Sequence, residues 1–142
     1  MHDHKIGETF SRTVSFDAEG IKQFATLAGD ENPLHHDERV ATGSRFGGLI
    51  ASGTHYSALL MGMIATHFTR RGAALGLGFS FQFRKPVHAG ETVRLEWRIT
   101  EIEPKPSLRG DVITLAGCIT GQDGRPAVRA TASVLVLPPE CV

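Results

Sequence analysis

Apolar positions recur along this chain with two different periods, and the switch between them divides it. Thr9 to Phe16 alternates weakly, as a half-buried strand does. Asp17 then stands where a helix N-cap belongs, and Ile21, Phe24, Ala25, Leu27 and Ala28 follow at helical spacing until Gly29. A short helix is predicted there. Tyr56, Leu59, Leu60, Met63, Ile64 and His67 repeat the same period over a longer stretch, with Ser52 or Thr54 able to cap its start. This is the one long helix. Beyond Arg70-Arg71-Gly72 the period falls to two: Leu77, Phe79, Phe81 and Phe83; then Val93, Leu95, Trp97 and Ile99; then Ile113, Leu115, Gly117 and Ile119; then Val128 through Val136.

Four alternating runs in succession predict an antiparallel sheet laid out as a meander. Pro86 to Gly90 and Pro104 to Gly110 supply its longer turns, and Gly121-Gln122-Asp123-Gly124 is a hairpin signal. A long helix with one apolar face beside such a sheet implies an α+β packing in which the sheet wraps the helix. The Phe79, Phe81 and Phe83 stripe and Trp97 are then expected in the core. Glu31 to Gly48, with Asn32-Pro33 and several glycines, reads as loop with one helical turn near Asp37 to Ala41. No repeat, linker or low-complexity segment interrupts the pattern, so residues 1–142 are expected to form a single domain.

Composition narrows the function classes. Hydrophobic residues at 41% and charged residues at 21% are those of a folding chain, not a disordered one. Fifteen basic residues balance fifteen acidic ones, so the excess that neutralises phosphates is missing and no nucleic-acid partner is expected. Leu49 to Phe68 is the most apolar stretch, but its serines, threonines, histidines and glycines make it a poor membrane span. The start, Met1-His2-Asp3-His4-Lys5, lacks the apolar core of a secretory signal, and a cytoplasmic protein is expected. Cys118 and Cys141 share no CxxC spacing and read as inert thiols.

Candidate chemistry concentrates after the short helix. Asp30, Asn32 and His35 crowd around Pro33, whose ring pins the backbone. Such a turn holds a carboxylate and an imidazole at fixed separation, which acid–base catalysis requires. Asp and Asn beside Pro are also ordinary Asx-turn residues, and by spacing alone that structural reading is the stronger.

The run Gly29-Asp30-Glu31-Asn32-Pro33-Leu34-His35-His36-Asp37, with Phe24 before it and Ala41 after it, resembles the hydratase motif of the MaoC-like dehydratase family, which includes the (R)-specific enoyl-CoA hydratases. Gly47 to Gly53, leading into the long helix, resembles the family's glycine-bearing approach to its central helix. Phe83 to Val87 with Gly90 to Val93 resembles the strand and turn that follow, so the resemblance runs from about Phe10 to Leu137. It implies a hot-dog fold, an antiparallel β-sheet wrapped around one long central helix. It implies a hydratase/dehydratase of acyl thioesters, most directly the reversible syn hydration of a trans-2-enoyl-CoA to an (R)-3-hydroxyacyl-CoA.

Carried over by residue, the resemblance makes Asp30 and His35 the catalytic pair that activates water. Asn32 either orients that water or closes the turn through its amide. The thioester oxygen needs donors as charge develops on it, and the backbone N–H groups of Gly53 and Thr54, at the long helix's positive end, are the candidates. Gly53 has a second reading as a close-packing residue. His55 is expected to be an ordinary half-buried histidine, and Met61 and Met63 core or tunnel wall. Arg84 and Lys85 rank ahead of Arg70 and Arg71 as partners for CoA phosphates. His35, His36 and Asp37 invite a metal reading, but adjacent histidines do not converge on one ion without a further ligand. No metal and no cofactor are expected, and CoA or phosphopantetheine enters as part of the substrate.

Two alternatives remain. A hot-dog thioesterase uses an acidic residue on or near the central helix, and Thr54 to Arg70 contains neither Asp nor Glu. A non-catalytic acyl-thioester-binding subunit is expected to have lost the Asp and His that this chain keeps. Because the family closes its site at a two-fold interface, a homodimer or higher homo-oligomer is expected.

Overall fold

The computed structural model describes residues 4–141, apart from the side chain of Cys141. The expectations placed on Met1 to Asp3 and on the Cys141 thiol therefore lie outside the described residues. In chain order come β1 (Thr9–Ser15), α1 (Ala18–Ala28), a 3-10 turn (Pro33–His35), α2 (Glu38–Gly43), α3 (Gly53–Phe68), β2 (Ala73–Phe83), β3 (Thr92–Lys105), β4 (Gly110–Thr120) and β5 (Pro126–Leu137). Local signals explain the helix ends. Asp17 Oδ1 accepts the Gly20 N–H at 2.6 Å. At the other end Gly29 takes φ 73°, a left-handed conformation that suits glycine, and the next N–H, of Asp30, bonds back to Ala25 O at 2.8 Å.

The five strands form one antiparallel sheet in the order β1-β3-β4-β5-β2. This corrects the expected four-stranded meander: β3, β4 and β5 follow one another, but β2 pairs with β5 and not with β3. The free edge of β3 is occupied by β1, and the segment that leaves β2 is held elsewhere. Ala51 N–H bonds Val87 O at 2.8 Å and Ala89 N–H bonds Leu49 O at 2.9 Å, so this connection staples the approach to α3 instead of turning a hairpin. Turn residues announce that a chain bends; they do not say which strand it returns to.

α3 buries Tyr56, Leu60, Met63, Ile64 and Phe68. They face fully or nearly fully buried sheet residues that include Val93, Leu95, Trp97, Ile99, Leu115 and Val134. Trp97 is fully buried as expected, and its indole N–H donates to Leu60 O at 2.9 Å, tying helix to sheet. A Cβ on Gly117 would sit 2.6 Å from that indole, so only glycine leaves the ring its space. The phenylalanine stripe departs from expectation. Phe79 and Phe81 are half-buried, but Phe83 and Leu77 are 55% exposed, because β2 is an edge strand. Met63 joins the core while Met61, on the other side of the helix, is exposed. Among the described residues no helix is long and apolar enough to cross a membrane.

Candidate active site

Asp30 emerges directly from the closed end of α1, and the five residues after it form one tight turn. Asp30 Oδ1 accepts the Asn32 N–H at 3.1 Å, and Asn32 Oδ1 accepts the Leu34 N–H at 3.1 Å. Pro33 occupies the first turn of the 3-10 helix, where its missing N–H costs nothing. Of the two readings of Asn32, its oxygen follows the structural one, capping this turn. The turn delivers His35 inward: it is 6% exposed, beneath the segment that leads to α3.

Two backbone carbonyls orient the imidazoles. His35 Nδ1 lies 2.7 Å from Ile50 O, a carbonyl that can only accept, so Nδ1 carries its proton and Nε2 is the nitrogen left for chemistry. That Nε2 faces Asp30 Oδ2 at 3.5 Å, with side-chain exposures of 7% and 26% respectively. The gap is too long for a good direct hydrogen bond, and one water oxygen can lie within hydrogen-bonding reach of both atoms. Asp30 thus divides its oxygens, one holding the turn and one facing the histidine.

The sequence suggests for His36 only a metal-ligand reading. Its Nε2–H donates to Asp30 O at 2.6 Å, clamping the main chain that carries the carboxylate. Asp37 caps α2, its Oδ1 accepting from Arg39 N at 2.9 Å and Val40 N at 3.2 Å. His35, His36 and Asp37 therefore point to three different partners and do not gather around one ion. The Ile50 carbonyl that orients His35 is announced by no side-chain pattern. His36 was at least visible through its place in the motif.

The start of α3 lies beside this turn. Ser52 stands at the N-cap without a side-chain capping bond, its Oγ instead meeting Thr54 Oγ1 at 2.9 Å. The N–H groups of Gly53 and Thr54, in the first turn, have no intrahelical acceptor. Gly53 also has its packing role, since a Cβ there would meet the Phe83 ring at 3.2 Å. His55 stacks on Phe24 with ring centroids 4.4 Å apart, and its Nδ1 is buried without a hydrogen-bond partner. Burial lowers its pKa, which keeps the ring neutral. Lys85 is committed to Asp123 at 2.5 Å, and that pairing holds the Asp123 carboxyl below its ordinary value. Arg84 is exposed and donates to Gln82 Oε1 at 3.1 Å.

Two recesses flank α3 away from the Asp30–His35 pair. One, of about 680 Å³, runs between β1 and the helix past Phe10, Leu59, Met63 and His67. The other, of about 320 Å³, lies between α3 and β2, lined by Met61, Ile64, Ala74, Phe79 and Val134, with Gly62 and Gly76 in its wall.

Known proteins match this chain in both sequence and fold. The family described as MaoC like domain matches residues 2–115. The chain is 31% identical to an (R)-specific enoyl-CoA hydratase of Aeromonas caviae, over 92% of this chain and 93% of that protein. It is 28% identical to a 3-hydroxybutyryl-CoA dehydratase of Methylorubrum extorquens, over 74% of this chain and 66% of that longer protein, a little under two thirds. Among solved structures, the (R)-hydratase from A. caviae involved in PHA biosynthesis superposes with a TM-score of 0.85, covering 97% of this chain and all of that one at 31% identity.

Proposed function

The chain belongs to the MaoC-like family of hydratases and dehydratases, and from that premise we propose that it adds water reversibly to a trans-2-enoyl-CoA, giving an (R)-3-hydroxyacyl-CoA, with Asp30 and His35 as the acid–base pair. The observation that carries this reading is the 3.5 Å separation of Asp30 Oδ2 and His35 Nε2, with each group fixed from behind by backbone. A water held by both atoms gives its hydroxyl to C3 of the enoyl group. A proton passes to C2 on the same face, so the pair ends as it began and the addition is syn. In dehydration the same steps run backwards.

As the hydroxyl attacks C3, negative charge moves onto the thioester oxygen. The uncommitted N–H groups of Gly53 and Thr54, at the positive end of α3, are proposed to receive it. The reaction as written asks for no metal and no cofactor, and CoA or phosphopantetheine arrives with the substrate. Arg84 is the better candidate for the CoA phosphates, because Lys85 is engaged by Asp123. The apolar recess between α3 and β2 is proposed to take the acyl tail.

A homodimer is proposed through the β2 edge. That strand has no neighbour on its outer side, and Leu75, Leu77 and Phe83 on it are each more than half exposed. Leu77→Glu is expected to shift the protein toward monomer in analytical ultracentrifugation; an unchanged dimer would place the interface elsewhere.

The activity test follows loss of the conjugated enoyl absorbance with crotonyl-CoA and longer trans-2-enoyl-CoAs. Wild type should hydrate them, and Asp30→Asn and His35→Ala should each lose about 10²- to 10⁴-fold in kcat. Free thiol released from saturated acyl-CoAs, without enoyl hydration, would make the protein a thioesterase. Hydration that survives in both variants would leave the reaction standing and remove the site.

A further inference from the structure

Among the described residues, one set of three histidine, cysteine or carboxylate side chains brings its ligand atoms within 4.8 Å of one another: His4, Glu8 and His67. It lies at the last turn of α3, whereas the Asp30–His35 pair lies beside the first. The rise of α3 puts the two places about 20 Å apart. Glu8 Oε2 sits between the rings, 3.2 Å from His4 Nδ1 and 2.7 Å from His67 Nε2. All three side chains are between 17% and 25% exposed, sheltered but open to an ion from solvent.

The rings are already aimed. His67 stacks on Phe10 with centroids 3.9 Å apart and planes 6° from parallel. His4 meets Phe68 edge-on at 4.8 Å. Both imidazoles thus have an aromatic wall behind them, and little side-chain freedom is left to lose on binding.

We propose that His4, Glu8 and His67 form a binding site for a divalent transition ion of the zinc type, which clamps the segment before β1 onto the C-terminal turn of the central helix. Two imidazoles and one carboxylate are a donor set that zinc accepts with a fourth position left to water. Bonds of about 2.0–2.2 Å in a tetrahedron put neighbouring ligand atoms roughly 3.3 Å apart. The Glu8–His4 spacing of 3.2 Å meets this, and the Glu8–His67 spacing of 2.7 Å has to open by about half an ångström. Each ring nitrogen facing the ion must give up its proton, either to the ring's other nitrogen through exchange with water or, from a charged ring, to solvent. Imidazole donors disfavour magnesium and calcium, which prefer all-oxygen shells. This site does not depend on the hydratase reading.

The test titrates zinc into the full-length, EDTA-treated protein in competition with a chromophoric chelator. One equivalent should bind, with a rise in Tm, and magnesium should do neither. Glu8→Gln and His67→Gln should each weaken zinc by tenfold or more, while His88→Gln, a control elsewhere, should not. Cobalt should show the visible absorption of a four-coordinate ion in wild type and lose it in both variants. Wild-type affinity retained in either variant would overturn the site, as would an absence of one-equivalent binding. Glu8→Gln keeps the shape of the side chain, so it tests the ion even if His67→Gln folds poorly, which far-UV circular dichroism reports.

Discussion

Two carboxylate–imidazole clusters stand at opposite ends of α3, built from the same chemistry in different states of commitment. At the last turn Glu8 Oε2 lies 2.7 Å from His67 Nε2, a direct bond that has to open by about half an ångström before an ion can enter. At the first turn Asp30 Oδ2 and His35 Nε2 stand 3.5 Å apart, and each is held by other bonds: Asp30 by the Asn32 N–H, His35 by Ile50 O. A carboxylate bonded directly to an imidazole satisfies itself and, with no ion between them, works as a tie. A pair whose members are satisfied from behind and held just out of contact leaves room for a third atom, which the proposed hydration needs.

The largest way to break this comparison is to remove a partner at the first turn. Asp30→Asn should lower hydration kcat by about 10²- to 10⁴-fold while changing Tm little, and a loss below tenfold would mean that the gap does no chemistry. Next comes the clamp behind it. His36→Ala frees the Asp30 carbonyl and should cost about tenfold in kcat with KM nearly unchanged, with His36→Gln recovering part of the rate. An equal loss in His36→Gln would mark a general packing effect instead.

At the last turn the same kind of change should touch stability and not rate. Glu8→Gln should cost roughly 1 kcal/mol at pH 7 by denaturant unfolding and leave kcat within about twofold. Burial pushes the Glu8 carboxyl up, but bonds from His67, His4 and the Lys5 N–H outweigh it, so its folded pKa lies below the ordinary 4.5. The unfolded chain then binds more protons in that range. The stability from Glu8 is fully present above the ordinary value and is lost as pH falls through the lowered one, so the wild-type and Glu8→Gln curves should converge in acid.

The smallest effect belongs to His55. Burial lowers its pKa from 6.5, so folding loses stability as pH falls below that value, and His55→Phe should flatten the slope there. The variant should also gain up to about 1 kcal/mol by removing the unpartnered buried Nδ1, and a clear loss would show that the nitrogen has a partner in solution.

Much of this molecule could be read from its residues in order, because the responsible interactions are local. Asp17, Gly29, Asn32, Pro33 and Asp37 shape their own few residues, and the periods of two and 3.6 mark which face of each element is buried. The Asp30–His35 turn is legible for the same reason, since five positions suffice to build it. Spacing does not distinguish a structural turn from a catalytic one; the catalytic reading comes from the resemblance of the surrounding motif and is the one proposed above.

What joins distant parts of the chain was decided only by the tertiary structure. β2 crosses to β5 because β1 already holds the free edge of β3, and this leaves Phe83 exposed where alternation had placed it in the core. The Ile50 carbonyl that leaves His35 Nε2 free for chemistry is a backbone atom fifteen residues away, and no side-chain pattern encodes its direction. Glu8 and His67 are 59 residues apart, and neither stands in any local motif. They meet because α3 packs its last turn beside β1, a contact fixed by the shape of the buried core and not by the residues that it brings together.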